Sequence, residues 1–162
     1  MSDPVKPLIL IVDDVPTNIK MLGKSLQDEY DVVAATSGED CLRQVVREPR
    51  PDLILLDVMM PGMDGFEVCR QIKADERSAD IPVIFLTSMD DQVNEEEGLK
   101  AGAVDYITKP FRLAIVKARI NIHLELQQHR AFLERALSKR TRNLKLAQGE
   151  LLQMIRGRGG RR

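Results

Sequence analysis

The chain has 162 residues, is 43% apolar and 30% charged, and carries a net charge of −1, the balance of a soluble globular protein. Its apolar runs, such as LILIV at 8–12, fall far short of the roughly 20 residues of a membrane span, and no basic start leads into a long apolar stretch as in a secretory signal. A cytoplasmic location without membrane contact is therefore expected. Cys41 and Cys69 form neither a disulfide framework nor a metal spacing and read as small buried helix residues. The net charge hides a division. Residues 1–111 hold 11 Lys and Arg against 22 Asp and Glu, a balance of −11, whereas residues 112–162 hold 13 against 3, a balance of +10. Such asymmetry indicates two physical units.

From the start to about residue 111, short apolar runs alternate with amphipathic stretches. Strands are expected at 8–12 (LILIV), 31–35 (DVVAA), 52–56 (DLILL), 82–86 (PVIFL) and 103–107 (AVDYI). The first, third and fourth are nearly continuous apolar runs, the pattern of strands covered on both faces. Helices are expected near 17–28, 38–48, 64–76 and 91–101, with Thr17, Ser37 and Asp64 as N-caps and Gly102 at a C-cap. Strand–helix alternation with helical crossovers predicts a doubly wound α/β domain around a parallel sheet. After Lys109-Pro110-Phe111 the pattern changes. Residues 112–156 contain no proline and a single glycine, Gly149, which predicts one long helix. From Leu126 a 4,3 spacing runs through Arg130, Leu133, Leu137, Arg140, Leu144, Ala147, Leu151 and Met154. Seven of these nine are apolar, the signature of a coiled-coil seam that its two arginines would weaken or set in register. The organisation expected is thus a domain over 1–125, a helical dimerisation or linker segment over 126–156 and a disordered basic tail over 157–162.

Ligands of an open parallel sheet bind beyond the carboxyl ends of its strands, where strand order reverses. Asp13 and Asp14 close the first strand and Asp57 the third. In a 2-1-3-4-5 order those strands are central neighbours, and the three carboxylates converge. Like charges so close repel unless a cation sits among them. Oxygen-only donors in a small site with room for water suit Mg²⁺ better than Zn²⁺. Thr87 and Lys109 end two further strands on the same edge. Beside an Asp–metal cluster, a hydroxyl and an ammonium suit the oxygens of a phosphoryl group. Asp57 is the candidate acceptor, since carboxylates form aspartyl-phosphate intermediates.

Four separated motifs, VDD at 12–14, LLDVMMPGMDG at 55–65, PVIFLTS at 82–88 and GAVDYITKPF at 102–111, resemble the receiver domain of bacterial two-component response regulators over residues 7–125. The resemblance implies a flavodoxin-like five-stranded sheet, Asp57 as phosphoacceptor, and Mg²⁺ held by Asp13 or Asp14, Asp57 and the Met59 backbone carbonyl. It further implies that Thr87 and Lys109 contact the phosphoryl group, that the Lys109-Pro110 bond is cis, and that Tyr106 is the aromatic switch paired with Thr87. No position departs from that pattern. The partner so implied is a sensor histidine kinase or a phosphotransfer protein. Met59 and Met89 flank the site, where they would screen an acylphosphate from water or merely fill the loops.

The basic segment lacks aromatic platforms and a helix-turn-helix pattern, which argues against nucleic acid. Residues 123–155 resemble the linker that follows receivers ahead of HD-GYP phosphodiesterase, diguanylate cyclase or phosphatase output domains, the HD-GYP type above all. No catalytic motif of those domains occurs among the 162 residues, so either a shortened chain or a single-domain regulator with a dimerising helix is expected. Two other classes make different demands on the same residues. An aspartyl-phosphate phosphatase commonly carries an acid two residues after its nucleophile, where this chain has Met59. A flavin or nucleotide carrier needs a loop rich in Ser, Thr and Gly after the first strand, whereas DDVPTN would repel an anion. The sequence predicts a signalling module and not an enzyme beyond its own phosphorylation and dephosphorylation.

Overall fold

The structure is a computed structural model that describes residues 3–88 and 95–158, the Glu95 side chain excepted. Among the described residues ten elements alternate in chain order: β1 (Leu8–Val12), α1 (Pro16–Leu26), β2 (Asp31–Ala35), α2 (Gly38–Gln44), β3 (Leu53–Asp57), α3 (Gly65–Ala74), β4 (Val83–Ser88), α4 (Glu95–Ala101), β5 (Asp105–Lys109) and α5 (Leu113–Arg158). The strands form one sheet in the order β2-β1-β3-β4-β5, every neighbouring pair parallel. This is the flavodoxin-like doubly wound fold. The chain divides into two compact units, Met1–Leu124 and Glu125–Arg162.

The continuous apolar runs of β1 and β3 bury because helices cover both faces of the sheet. Leu10, Val12, Ile54 and Leu56 face α2 and α3, where they meet Cys41, Val45, Val68, Cys69 and Ile72. Ile9, Ile11, Leu53 and Leu55 face the other way, against Leu22 and Leu26 of α1 and Val116, Ile120 and Leu124 of α5. The three α5 residues recur every fourth position, so a single stripe of that helix meets the sheet. Each such side chain stabilises the fold by roughly 1.5–3 kcal/mol on burial. Both cysteines are buried, as expected, and burial pushes their thiols up to about 12 for Cys41 and about 11 for Cys69.

The helix ends follow local chemistry. Ser37 accepts from the Asp40 N–H at 3.2 Å and Asp64 from the Glu67 N–H at 2.9 Å, both caps as expected. At α1 the expectation of Thr17 fails. Val15 is the cap residue and Pro16 opens the helix, because Asp13 Oδ1 takes the Val15 N–H at 2.9 Å and proline suits the first helical position. Gly102 adopts φ 102° after α4, and the bond from Ala103 N–H to the Gly98 carbonyl closes that helix in the Schellman manner. Those residues are thereby withdrawn from β5, which starts at 105 and not 103. Helix α2 stops at Gln44, short of the expected 48, and the Arg47 N–H turns back to the Gln44 carbonyl. Expected helix residues 91–94 lie outside the described residues.

In the second unit the helix runs on to Arg158, two residues beyond the expected end; 159–162 lie outside the described residues. Leu126, Leu133, Leu137, Leu144, Leu151 and Met154 are all exposed there. Arg130 pairs with Glu134 of its own helix at 3.7 Å. Among the described residues no helix is long and apolar enough to cross a membrane.

Candidate phosphoryl-acceptor and metal site

The sheet reverses its winding between β1 and β3, which register from Ile9 opposite Leu53 to Val12 opposite Leu56. The carboxyl ends of these two strands place Asp13, Asp14 and Asp57 together, and one carboxylate oxygen from each lies within 4.8 Å of the others. Asp57 closes β3 at 4% exposure and Asp13 is fully buried, while Asp14 is half-buried. Asp13 is held rigidly: Oδ1 accepts from the Val15 N–H at 2.9 Å and Oδ2 from Asn18 Nδ2 at 3.0 Å. Asn18 has no part in the sequence reading. Its signal was position alone, a short amide one turn into the helix that starts behind the acid pair.

Lys109 ends β5 and reaches across the β4 end, where it registers opposite Ser88. Its Nζ lies 3.3 Å from Asp57 Oδ1 and 3.6 Å from Asp13 Oδ2, with the Phe111 ring 5.9 Å away. Burial pushes the Asp57 carboxyl up to about 6; the Lys109 charge opposes this, the Asp13 charge adds to it, and hydrogen bonds from Lys109 and the Met59 N–H hold it down. One ammonium therefore does not neutralise the acid cluster. An oxygen-only donor set, converging within one ion's reach and short of positive charge, fits a hard divalent cation of the Mg²⁺ kind.

The remaining expected residues fall around this centre. Thr87 follows Leu86, the register partner of Asp57, and stands opposite Thr108 of β5; it is half-buried. Met59 is 65% exposed two positions beyond Asp57, whereas Met60 is buried. Tyr106 is 37% exposed on the outer strand. The Lys109-Pro110 bond is cis. Met89 lies outside the described residues. A further cis bond, Glu48-Pro49, had no counterpart in the sequence reading.

Behind Asp57 the loop is fixed by its glycines. Gly62 takes φ 78°, which a side chain would strain. At Gly65 a Cβ would meet the Asp57 carbonyl oxygen at 2.4 Å and Val58 Cα at 2.8 Å, and the Gly65 N–H donates to the Val58 carbonyl at 2.9 Å. Only glycine lets α3 start that close to the acceptor loop.

A doubly wound sheet with an acid triad and a lysine at its switch point defines a phosphoryl-receiving signalling domain, and the comparisons agree. The chain belongs to the response regulator receiver domain family, which residues 9–121 match. Phosphorylation on an aspartate is general to this family. The chain is 38% identical over 153 residues to the "Probable cyclic di-GMP phosphodiesterase" of Vibrio cholerae serotype O1, covering 94% of this chain and 32% of that protein. It is 44% identical over 113 residues to the response regulator PleD of Caulobacter vibrioides, covering 69% and 25%. Among solved structures, the receiver domain of the sensor histidine kinase PA1611 of Pseudomonas aeruginosa PAO1, with a magnesium ion coordinated in its active-site cleft, matches with a TM-score of 0.69 at 32% identity, covering 75% of this chain and 99% of that one. The chain thus spans a third or less of the two curated relatives named.

Proposed function

We propose that Asp57 accepts a phosphoryl group from a sensor histidine kinase or phosphotransfer protein in a Mg²⁺-dependent reaction, and that the acylphosphate switches the domain. One observation carries this reading: three carboxylate oxygens within 4.8 Å at the switch point, with the Lys109 ammonium 3.3 Å from Asp57. In the reaction an Asp57 oxygen attacks phosphorus, an O–P bond forms, the N–P bond of the phosphohistidine breaks, and the electron pair returns to the imidazole. A weak nucleophile suffices because phosphoryl transfer depends on positioning and charge neutralisation.

Asp13, Asp14, Asp57 and the Met59 carbonyl are the groups that would hold Mg²⁺. When bound, the ion neutralises the equatorial oxygens of the transferring group and offsets the acid cluster. Support comes from the donor set itself and from the magnesium site of the Pseudomonas receiver. Lys109 contributes the second positive charge and keeps Asp57 ionised. The Thr87 hydroxyl donates to a phosphoryl oxygen, and its movement lets the Tyr106 ring turn inward. Incubation with Mg²⁺ and acetyl phosphate or beryllofluoride tests the reading: modification must occur and must vanish in Asp57→Asn.

The helix after the receiver carries the output. The heptad spacing from Leu126 to Met154 leaves an exposed apolar seam, which a second copy of the chain covers as a coiled coil. The Vibrio cholerae relative matches through this region as well, which supports an output in cyclic-di-GMP signalling. A cytoplasmic location follows from that role.

A further inference from the structure

The backbone N–H of Tyr106 and the helix α5 meet on one carboxylate. Asp105 opens β5 directly ahead of Tyr106. Its Oδ1 accepts from the Tyr106 N–H at 2.8 Å. Its Oδ2 accepts from Arg119 Nη1 at 2.8 Å and lies 2.9 Å from His123 Nε2. Arg119 and His123 stand four residues apart, so both reach the acid from one face of α5. The side chains of Asp105 and His123 are only 13% and 14% exposed, which places their contact largely out of water, where a hydrogen bond to a carboxylate is strong, whereas Arg119 is half exposed at 48%. Burial pushes the Asp105 carboxyl up, but the bonds from His123, the Tyr106 N–H and Arg119 together hold it below its ordinary value.

Apolar contact alone cannot do what this cluster does. Val116, Ile120 and Leu124 seat α5 on the sheet, but apolar packing is non-directional and permits small rotations about the helix axis. The bonds to Asp105 are directional and add an orientation constraint, as does the Lys117–Glu29 ion pair at 3.4 Å on the same helix. His123 immediately precedes Leu124, the last buried residue of the helix.

We propose that Asp105 is a positioning residue that couples the backbone at Tyr106 to the rotation of α5, with His123 and Arg119 as its grips. This rests on the reading of Asp57 as phosphoacceptor. When β5 shifts around Tyr106, the N–H that orients Oδ1 moves, the carboxylate turns, and Oδ2 reloads its two partners on α5. The receiver state is thereby written into the helix at its exit from the domain.

The test compares the wild-type chain with Asp105→Asn and His123→Gln, each with and without Mg²⁺ and acetyl phosphate. Phosphate incorporation is read by intact mass, and amide hydrogen exchange is followed over residues 113–124. Both variants are expected to phosphorylate at the wild-type rate within about twofold, since neither residue touches the acid cluster. The phosphorylation-dependent change in α5 exchange should fall about tenfold in either variant, the size of an ordinary allosteric coupling. The proposal is overturned if both variants keep the wild-type change in exchange. It is also overturned if the phosphorylated wild type shows no change in α5. A wild type that takes no phosphate overturns the Asp57 reading instead, which the mass measurement identifies separately.

Discussion

Asp57 sits in an environment that opposes its charge, and this has measurable consequences. Burial and the Asp13 charge raise its carboxyl to about 6 against Lys109 and the Met59 N–H, while an unfolded chain titrates near the ordinary value of about 3.9. A carboxyl raised on folding favours the protonated native state, so its stabilising effect is complete below about pH 4 and lost as pH rises through about 6. In metal-free buffer Asp57→Asn is therefore expected to be more stable than the wild type by about 1–2 kcal/mol above pH 6, a value reduced by solvent screening. The gap should close toward pH 4, as denaturant titrations at several pH values would show. Mg²⁺ should reverse the order: at tenfold excess over its Kd it stabilises the wild type by about 1.4 kcal/mol, and the variant much less. Lys109→Ala removes the ammonium bonded to the acid and should slow phosphorylation by about 10²–10³-fold, the usual loss for one oxyanion partner. Time courses with acetyl phosphate give that ratio directly.

At the scale of elements, the acceptor loop and the two ends of α5 carry different demands. Gly65 starts α3 against the backbone of Asp57 and Val58, and neither neighbour is a flexible side chain that could yield. Gly65→Ala is expected to cost about 1–3 kcal/mol, as overpacking does, and to slow phosphorylation by shifting the acceptor; chemical denaturation and acetyl phosphate kinetics check the two effects. In the sequence, Gly65 read only as part of a loop motif, because a close backbone approach leaves no mark in composition or spacing. Thr17 failed as a cap for a related reason. The Asp13 side chain, placed by the first strand, captured the Val15 N–H and moved the helix start to Pro16. By contrast β1 and β2 begin and end where their apolar patterns do, since period and burial there express the same packing. The Asp105–Arg119–His123 cluster was invisible beforehand: it joins residues up to 18 apart, and nothing in the chain marks those partners.

For the whole molecule, the charge divides at residue 111 between an acidic stretch and a basic one, close to where α5 begins. The acid triad, Lys109 and the strand order could be read from four motifs because each lies at a strand end. A strand end is both a sequence boundary and the place where ligands bind. The state of the helix could not be read so fully, because a seam interrupted by Arg130 and Arg140 fixes neither whether it pairs nor how strongly. Leu137→Asp should weaken self-association by at least about thirtyfold, as loss of a central apolar anchor does, and leave phosphorylation unchanged. Light scattering that found only monomer, with and without phosphorylation, would remove the dimer from the account. The central claim is that Asp57 takes the phosphoryl group, and intact-mass measurement after incubation with Mg²⁺ and acetyl phosphate tests it most directly. One phosphoryl group on the wild-type chain, none on Asp57→Asn and none after chelation of Mg²⁺ is the predicted result. Equal modification of Asp57→Asn would contradict it.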